Sequence, residues 1–166
     1  MSVAAETMEH QYLTFLLDKD FYALEIAAVQ EVQEFQTITK IPQTSKYMLG
    51  VINLRDEAIP VVDLRLKFDL PETQKTVNTC IIIVEEEVQG TKSNFGLLVD
   101  GVEEVLHIDP ENINPPPKLG HRINANFIDG IGKVDDKFVI LLNMHKILSI
   151  EELHEVSACY SLEENT

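Results

Sequence analysis

The chain has 166 residues, 45% of them hydrophobic and 25% charged, with a formal net charge of −15. That size and mix describe one or two small folded domains and exclude a disordered chain. The surplus of carboxylates excludes a nucleic-acid backbone or an anionic lipid surface as main partner, since both reward Lys and Arg.

In chain order, residues 1–10 lack the basic and apolar stretches of a secretory signal and read as a flexible arm. Gln11–Leu17 and Phe21–Glu25 flank Asp18-Lys19-Asp20 and predict a hairpin. Ile26, Val29 and Val32 recur every third residue, which suits a short helical turn, and Phe35–Ile41 returns to an extended pattern ending at Pro42. After a turn over Thr44–Leu49, Val51–Leu54 and Ala58–Val62 form a second hairpin about Asp56-Glu57. Pro60 has no amide hydrogen and is expected at an outward or edge position. Asp63 reads as the N-cap of a short turn through Leu70, and polar Glu72–Asn78 as the connection between modules.

The pattern restarts with Thr79–Val84, turns through Glu85–Asn94, and continues with Phe95–Val99 and Val102–Ile108. Asp109–Arg122 is an ordered, proline-rich loop. Asn126–Val134 and Lys137–Leu142 form a hairpin about Asp135-Asp136, and Asn143 caps a turn over Met144–Leu148. Glu151–Val156 adds a helical turn, and Ser157–Thr166 is a mobile acidic tail. No apolar run approaches the ~20 residues a spanning helix needs. Cys80 sits in an apolar strand and Cys159 in a polar tail, an arrangement that suits a reduced cytosol better than a framework disulfide.

Two halves of this series match. Gly50–Phe68 is echoed by Gly130–Leu148 at an offset of 80, Tyr22–Val32 by Phe95–Val105 at 73, and Ile38–Pro42 by Ile113–Pro117 at 75. Ordered matches with slowly drifting offsets are the mark of a duplicated unit. With several short strands per unit, the expected fold is mainly β: two similar small closed barrels with short helical turns. The expected units are residues 11–76 and 77–150 of one 11–150 domain, followed by a 151–166 tail.

Chemistry is sparse. The five histidines have no metal-binding spacing, no phosphate loop or nucleophile motif occurs, and Asp100-Gly101 is explained by a turn. Enzymatic activity, a metal and a cofactor are therefore not expected. What stands out is charge set within apolar strands: Glu31 between Val29 and Val32, and Arg55 after Val51–Leu54. An ion pair between Glu31 and Arg55 at a binding surface follows if the first unit folds as its pattern suggests. Val29, Phe95 and Val102 read most simply as core, and the junction of two barrels creates a cleft.

At these residues the chain resembles the chemotaxis coupling protein CheW and the regulatory domain of the histidine kinase CheA. Gly50-Val-Ile-Asn-Leu-Arg55 with Ile59-Pro-Val-Val-Asp-Leu64 is similar to the family signature, and Val29–Val32 and Leu98–Val102 match two further motifs. The resemblance implies two pseudo-symmetric, five-stranded, SH3-like barrels about a shared hydrophobic junction and a cytoplasmic, non-enzymatic adaptor recruited to receptor arrays through its partners. It implies that Glu31 and Arg55 bind or orient partners, and that Val29, Cys80, Phe95, Gly96 and Val102 lie in or near a groove for the chemoreceptor hairpin tip. The CheA regulatory domain is the other implied partner. Asp56 stands where the family has glycine, a position that favours positive φ. Its carboxylate beside Arg55 makes Asp56 part of the candidate surface. The adaptor half of a CheW–receiver (CheV-type) protein and a small-molecule sensor using the cleft are the alternatives.

Overall fold

A computed structural model describes residues 9–41, 46–88, 90–115 and 127–147. The readings for the first eight residues, for the second half of the proline-rich loop and for everything after Ile147 lie outside the described residues. The strands are β1 (Gln11–Leu17), β2 (Asp20–Glu25), β3 (Val29–Glu34), β4 (Met48–Leu54), β5 (Glu57–Asp63), β6 (Cys80–Val88), β7 (Thr91–Val99), β8 (Gly101–His107), β9 (Ile113–Asn114), β10 (Ile128–Val134) and β11 (Lys137–Leu142). One helical turn, α1 (Leu64–Lys67), follows β5, and another, α2 (Met144–Ile147), follows β11.

Two sheets result, ordered β8-β1-β2-β11-β10-β9 and β3-β6-β7-β5-β4. They do not divide where the sequence predicts. The β1–β2 hairpin of the first repeat pairs with β8 and β11 of the second, and the β6–β7 hairpin of the second pairs with β3 and β5 of the first. Each sheet is thus a hairpin from one repeat completed by the strands of the other, and residue 76 is not a boundary between sheets. The crossings are kinks in otherwise continuous ribbons: a 3-10 turn at Ile26–Ala28 between β2 and β3, and the single residue Asp100 between β7 and β8. Periodicity reports which face of a strand is buried, not which strand lies beside it, so the exchange was invisible locally.

Duplication is kept down to register. Val61 pairs with Gly96 in one sheet and Leu141 with Ala23 in the other, the same positions under the offsets of 80 and 73. Both β4–β5 and β10–β11 slip register at equivalent points, Met48/Gly50 and Ile128/Gly130. The bulge residues Gly50 and Gly130 allow close backbone approach: a Cβ on Gly50 would stand 2.0 Å from the Thr39 carbonyl oxygen, and one on Gly130 2.8 Å from that of Asn114. In the five-stranded sheet this contact lets Thr39 bridge Val51 through two 2.8 Å backbone hydrogen bonds. The sheet curls so that the chain leaving its first strand meets its last.

The core has three parts. A large cluster between the sheets joins Phe15, Tyr22 and Leu24 to Ile82, Val84, Phe95 and Leu97. A smaller cluster lies within each unit, Ile52, Ile59, Val61, Ile81, Ile83 and Leu98 in one and Ala23, Ile108, Val139 and Leu141 in the other. Strand alternation explains the division: Phe95 faces the shared core while Gly96 faces the unit's own, where a Cβ would come within 2.6 Å of Ile81 Cγ2.

Several local expectations are corrected. The strand after Ala28 begins at Val29, where alternate residues are half-buried, and Phe35–Ile38 is irregular. The β6–β7 hairpin runs to Val88 and restarts at Thr91, through what reads as a polar turn, because each residue from Glu85 to Val88 finds a cross-strand partner. Pro60 is buried within an inner strand. Its neighbour Val51 spends its amide and carbonyl on Thr39, and the β5–β7 ladder begins only at Val61, so the missing N–H leaves no ladder bond unmade.

Candidate docking site

Arg55 and Asp56 are the two turn residues of the β4–β5 hairpin, one position earlier than the sequence reading put the turn. Both adopt the left-handed conformation, φ 50° and 67°, that a tight two-residue hairpin requires. Asp tolerates this better than most residues, and its amide donates to Asn53 Oδ1 at 3.0 Å. The second repeat has the same turn in Asp135 and Asp136, φ 47° and 66°. Aspartate thus holds the left-handed conformation at both equivalent turn positions.

Glu31 lies on edge strand β3, at the opposite margin of the sheet order from β4, and the curl brings them together. Arg55 Nη2 donates to Glu31 Oε2 at 2.7 Å, with the arginine side chain 70% exposed and the glutamate 27%. The Arg55 hydrogen bond holds the Glu31 carboxyl below its ordinary pKa; partial burial opposes this, and a bond from Gln33 Nε2 assists it. The guanidinium is steered by one carboxylate while most of its surface faces water. An exposed pair of this kind adds little stability. It presents donors in a fixed direction, as recognition of a partner's acceptors requires.

The other candidates fall into two groups. Val29 and Val102, related by the offset of 73, are half-buried against the shared core at the starts of edge strands β3 and β8. Phe95 is fully buried, Cys80 is 9% exposed, and Gly96 lies beneath Ile81 and Val61. These three lie beneath the surface rather than on it. Burial also pushes the Cys80 thiol up from its usual pKa, although a hydrogen bond from the Val102 backbone acts against that shift.

Sequence reasoning missed two features. Val32 and Val105, again 73 apart, are 42% and 48% exposed on the two edge strands, so each repeat shows one valine beside its acids. The repeat offset itself was the available signal. Asp100, read as a turn residue, accepts from Arg65 Nε at 3.0 Å and Nη2 at 2.6 Å and from the Asp18 amide at 2.6 Å. This clamp ties α1 to the β7–β8 kink and the β1–β2 turn. Nothing in local spacing links positions 65 and 100. Among the described residues, no cluster of His, Cys, Asp and Glu could hold a metal ion, and no helix is long and apolar enough to cross a membrane.

This two-unit architecture, with its exchanged hairpins and Asn-Leu-Arg turn, can be set against known proteins. A family model described as the CheW-like domain matches residues 11–152. The chain belongs to the CheW-like family. Chemotaxis protein CheW of Klebsiella aerogenes is 32% identical over 156 residues, covering 91% of this chain and 89% of the relative. Chemotaxis protein CheW of Helicobacter pylori is 32% identical over 138 residues, 83% of this chain and 81% of that one. Among solved structures, the scaffolding protein TtCheW of Thermoanaerobacter tengcongensis superposes with a TM-score of 0.75 at 39% identity, covering 86% of this chain and 96% of its own. Chemotaxis protein CheV3 of Helicobacter pylori matches 81% of this chain but 43% of its own length. The mainly β, two-unit fold expected from the repeats, and SH3-like by the resemblance, is therefore the CheW-like fold.

Proposed function

We propose that this CheW-like chain is a non-enzymatic adaptor that couples chemoreceptors to the histidine kinase CheA in bacterial chemotaxis. The Glu31–Arg55 pair carries the reading: a guanidinium aimed outward by a single carboxylate, on a rigid turn, where the ends of a curled sheet meet. A group so placed is preorganised, and binding it costs little side-chain entropy. Glu31, Arg55 and Asp56 form the surface that meets the regulatory domain of the kinase or the receptor tip. Val29 and Val102 rim the junction groove that accepts the receptor's cytoplasmic hairpin. Phe95, Cys80 and Gly96 act from below by holding the shape of that rim. Recruitment to membrane-associated receptor arrays then follows from partner contacts, not from any lipid-binding element. An adaptor of this kind transmits a signal only where its contacts differ in free energy between signalling states.

The test is Arg55→Glu in a co-sedimentation assay with receptor fragment and kinase, followed by kinase activity. A hot-spot arginine loses on the order of tenfold or more in affinity when reversed. The variant should melt like the parent, because its side chain is exposed. Unchanged recovery of both partners would remove Arg55 from the surface.

A further inference from the structure

The first unit is open along its seam. The chain leaving β3 is irregular over Phe35–Ile38 and regains the sheet only at Thr39, which bridges Val51. Beside that seam lies a cavity of about 180 Å³. Phe35, Ile38 and Leu49 are half-buried against the unit's own core and turn remaining surface to this space, and buried Leu98 backs it. The cavity is thus an outward extension of the first unit's core and not the junction between the units. Partly uncovered apolar side chains in a concave site are what a small apolar body covers on binding. An apolar cavity of about 150 Å³ is large enough for one benzene ring, so this one suits a single ring or a short alkyl chain.

Its polar groups sort by depth. Asp63, 1% exposed, is the deep acid, and it already accepts from the Arg65 amide at 2.9 Å, Thr73 Oγ1 at 2.8 Å and the Thr73 amide at 3.3 Å. Those donors hold its charge, so it asks nothing of a ligand. Lys40 and Lys75 are exposed and stand at the rim. Neither is in an ion pair among the described residues, although the chain carries 28 Asp and Glu. Lys75 instead holds its ammonium 4.5 Å from the centre of the Phe35 ring, over the apolar wall itself. The remaining acid, Glu72, is exposed, and no hydrogen bond or ion pair among the described residues keeps its side chain from turning to solvent.

We propose that this cavity binds a small carboxylate with an apolar body, an aryl or short-chain alkyl acid. The body covers Phe35, Ile38 and Leu49, and the carboxylate lies at the rim between Lys40 and Lys75. A neutral molecule of the same shape gains the apolar contact without the charge-assisted hydrogen bonds. A cationic one meets two ammonium groups at the rim and, below them, a carboxylate whose donors are already in place. The occupant joins the chain leaving β3 to β4, the strands beside which Glu31 and Arg55 meet. The site is separate from that pair, and its existence does not depend on the adaptor reading.

The test is a titration of the ¹⁵N-labelled full chain with phenylacetate at constant ionic strength, with phenylacetamide, 2-phenylethylamine and acetate as comparisons. Saturable shifts confined to amides near residues 35–40, 49 and 73–75 are expected, with phenylacetate the tightest of the four. Exposed charge pairs contribute little each, so Lys40→Gln with Lys75→Gln should weaken phenylacetate by roughly fivefold and leave phenylacetamide unchanged. Leu49→Asp installs the acid that the second repeat carries at the equivalent position, Asp129, and should abolish binding while the rest of the spectrum is kept. Absence of saturable shifts in the parent chain, shifts spread over the surface, or binding retained in Leu49→Asp would overturn the site. Equal or tighter binding of the amide, the amine or acetate, or no effect of the lysine changes, would overturn the assignment of its occupant.

Discussion

Gly50→Ala is the sharpest probe of how this fold is joined. Gly50 sits at φ +148°, and an added Cβ would lie 2.0 Å from the Thr39 oxygen, 2.7 Å from its carbonyl carbon and 2.9 Å from Lys40 Cα, all backbone atoms that cannot rotate away. The bridge to Val51 must therefore open, losing both of its 2.8 Å hydrogen bonds. At about 1 kcal/mol per bond and about 1–3 kcal/mol for a non-glycine residue in that backbone region, the cost is about 3–5 kcal/mol. For a chain of this size each kcal/mol lowers Tm by roughly 2–4 °C, so the fall should be on the order of 10 °C. Urea denaturation followed by circular dichroism measures it directly. The equivalent Gly130→Ala meets Ile113 Cγ2 at 2.7 Å and the Asn114 oxygen at 2.8 Å, looser contacts, one of them with a side chain that can move. Its cost should be clearly smaller. A loss below about 1 kcal/mol for Gly50→Ala, or the reverse order of the two variants, would refute the account of a glycine-dependent join.

Asp100→Asn should cost about 2–3 kcal/mol, between exposed and fully buried pairs, because Arg65 would keep its charge at 16% exposure with a weakened partner. Adding Arg65→Met should recover part of that loss in a double-mutant cycle. Burial raises the Asp63 carboxyl above its usual 3.8, against the opposing hydrogen bonds from Thr73, Arg65 and Leu66. The folded state then holds its proton more tightly than the unfolded one, so this residue's contribution falls as pH rises from 3.8 through the folded value and is flat above it. Denaturation midpoints of Asp63→Asn across that window should lack this part of the slope. Cys80, buried and with its thiol pKa raised, should be alkylated only as fast as the chain opens. Peptide mapping after iodoacetamide treatment with and without urea measures that protection, and rapid labelling of Cys80 in the native protein would contradict its burial.

Much of the candidate site was legible in the order of residues. Glu31 and Arg55 stood out because charge interrupted apolar strands, and the curled sheet does place them 2.7 Å apart. The positive φ at Asp56 followed from reading a turn where glycine is usual, and the matching Asp136 shares it. Phe95, Cys80 and Gly96 were placed near a groove by resemblance alone. A motif names positions but not depth, and here the strand carries Phe95 into one core and Gly96 into another.

Alternation of side chains, turn residues and the slow drift of the repeat offsets determined by themselves that the chain is mainly β and built twice from one pattern. These are local properties, since each depends on neighbours within a few positions. Which hairpin completes which sheet, and which residues line the cavity of the first unit, were decided only in three dimensions. Pairing partners and pocket walls come from residues tens of positions apart, and a ribbon that kinks at Ala28 or Asp100 can cross between sheets without altering the pattern on either side of the kink.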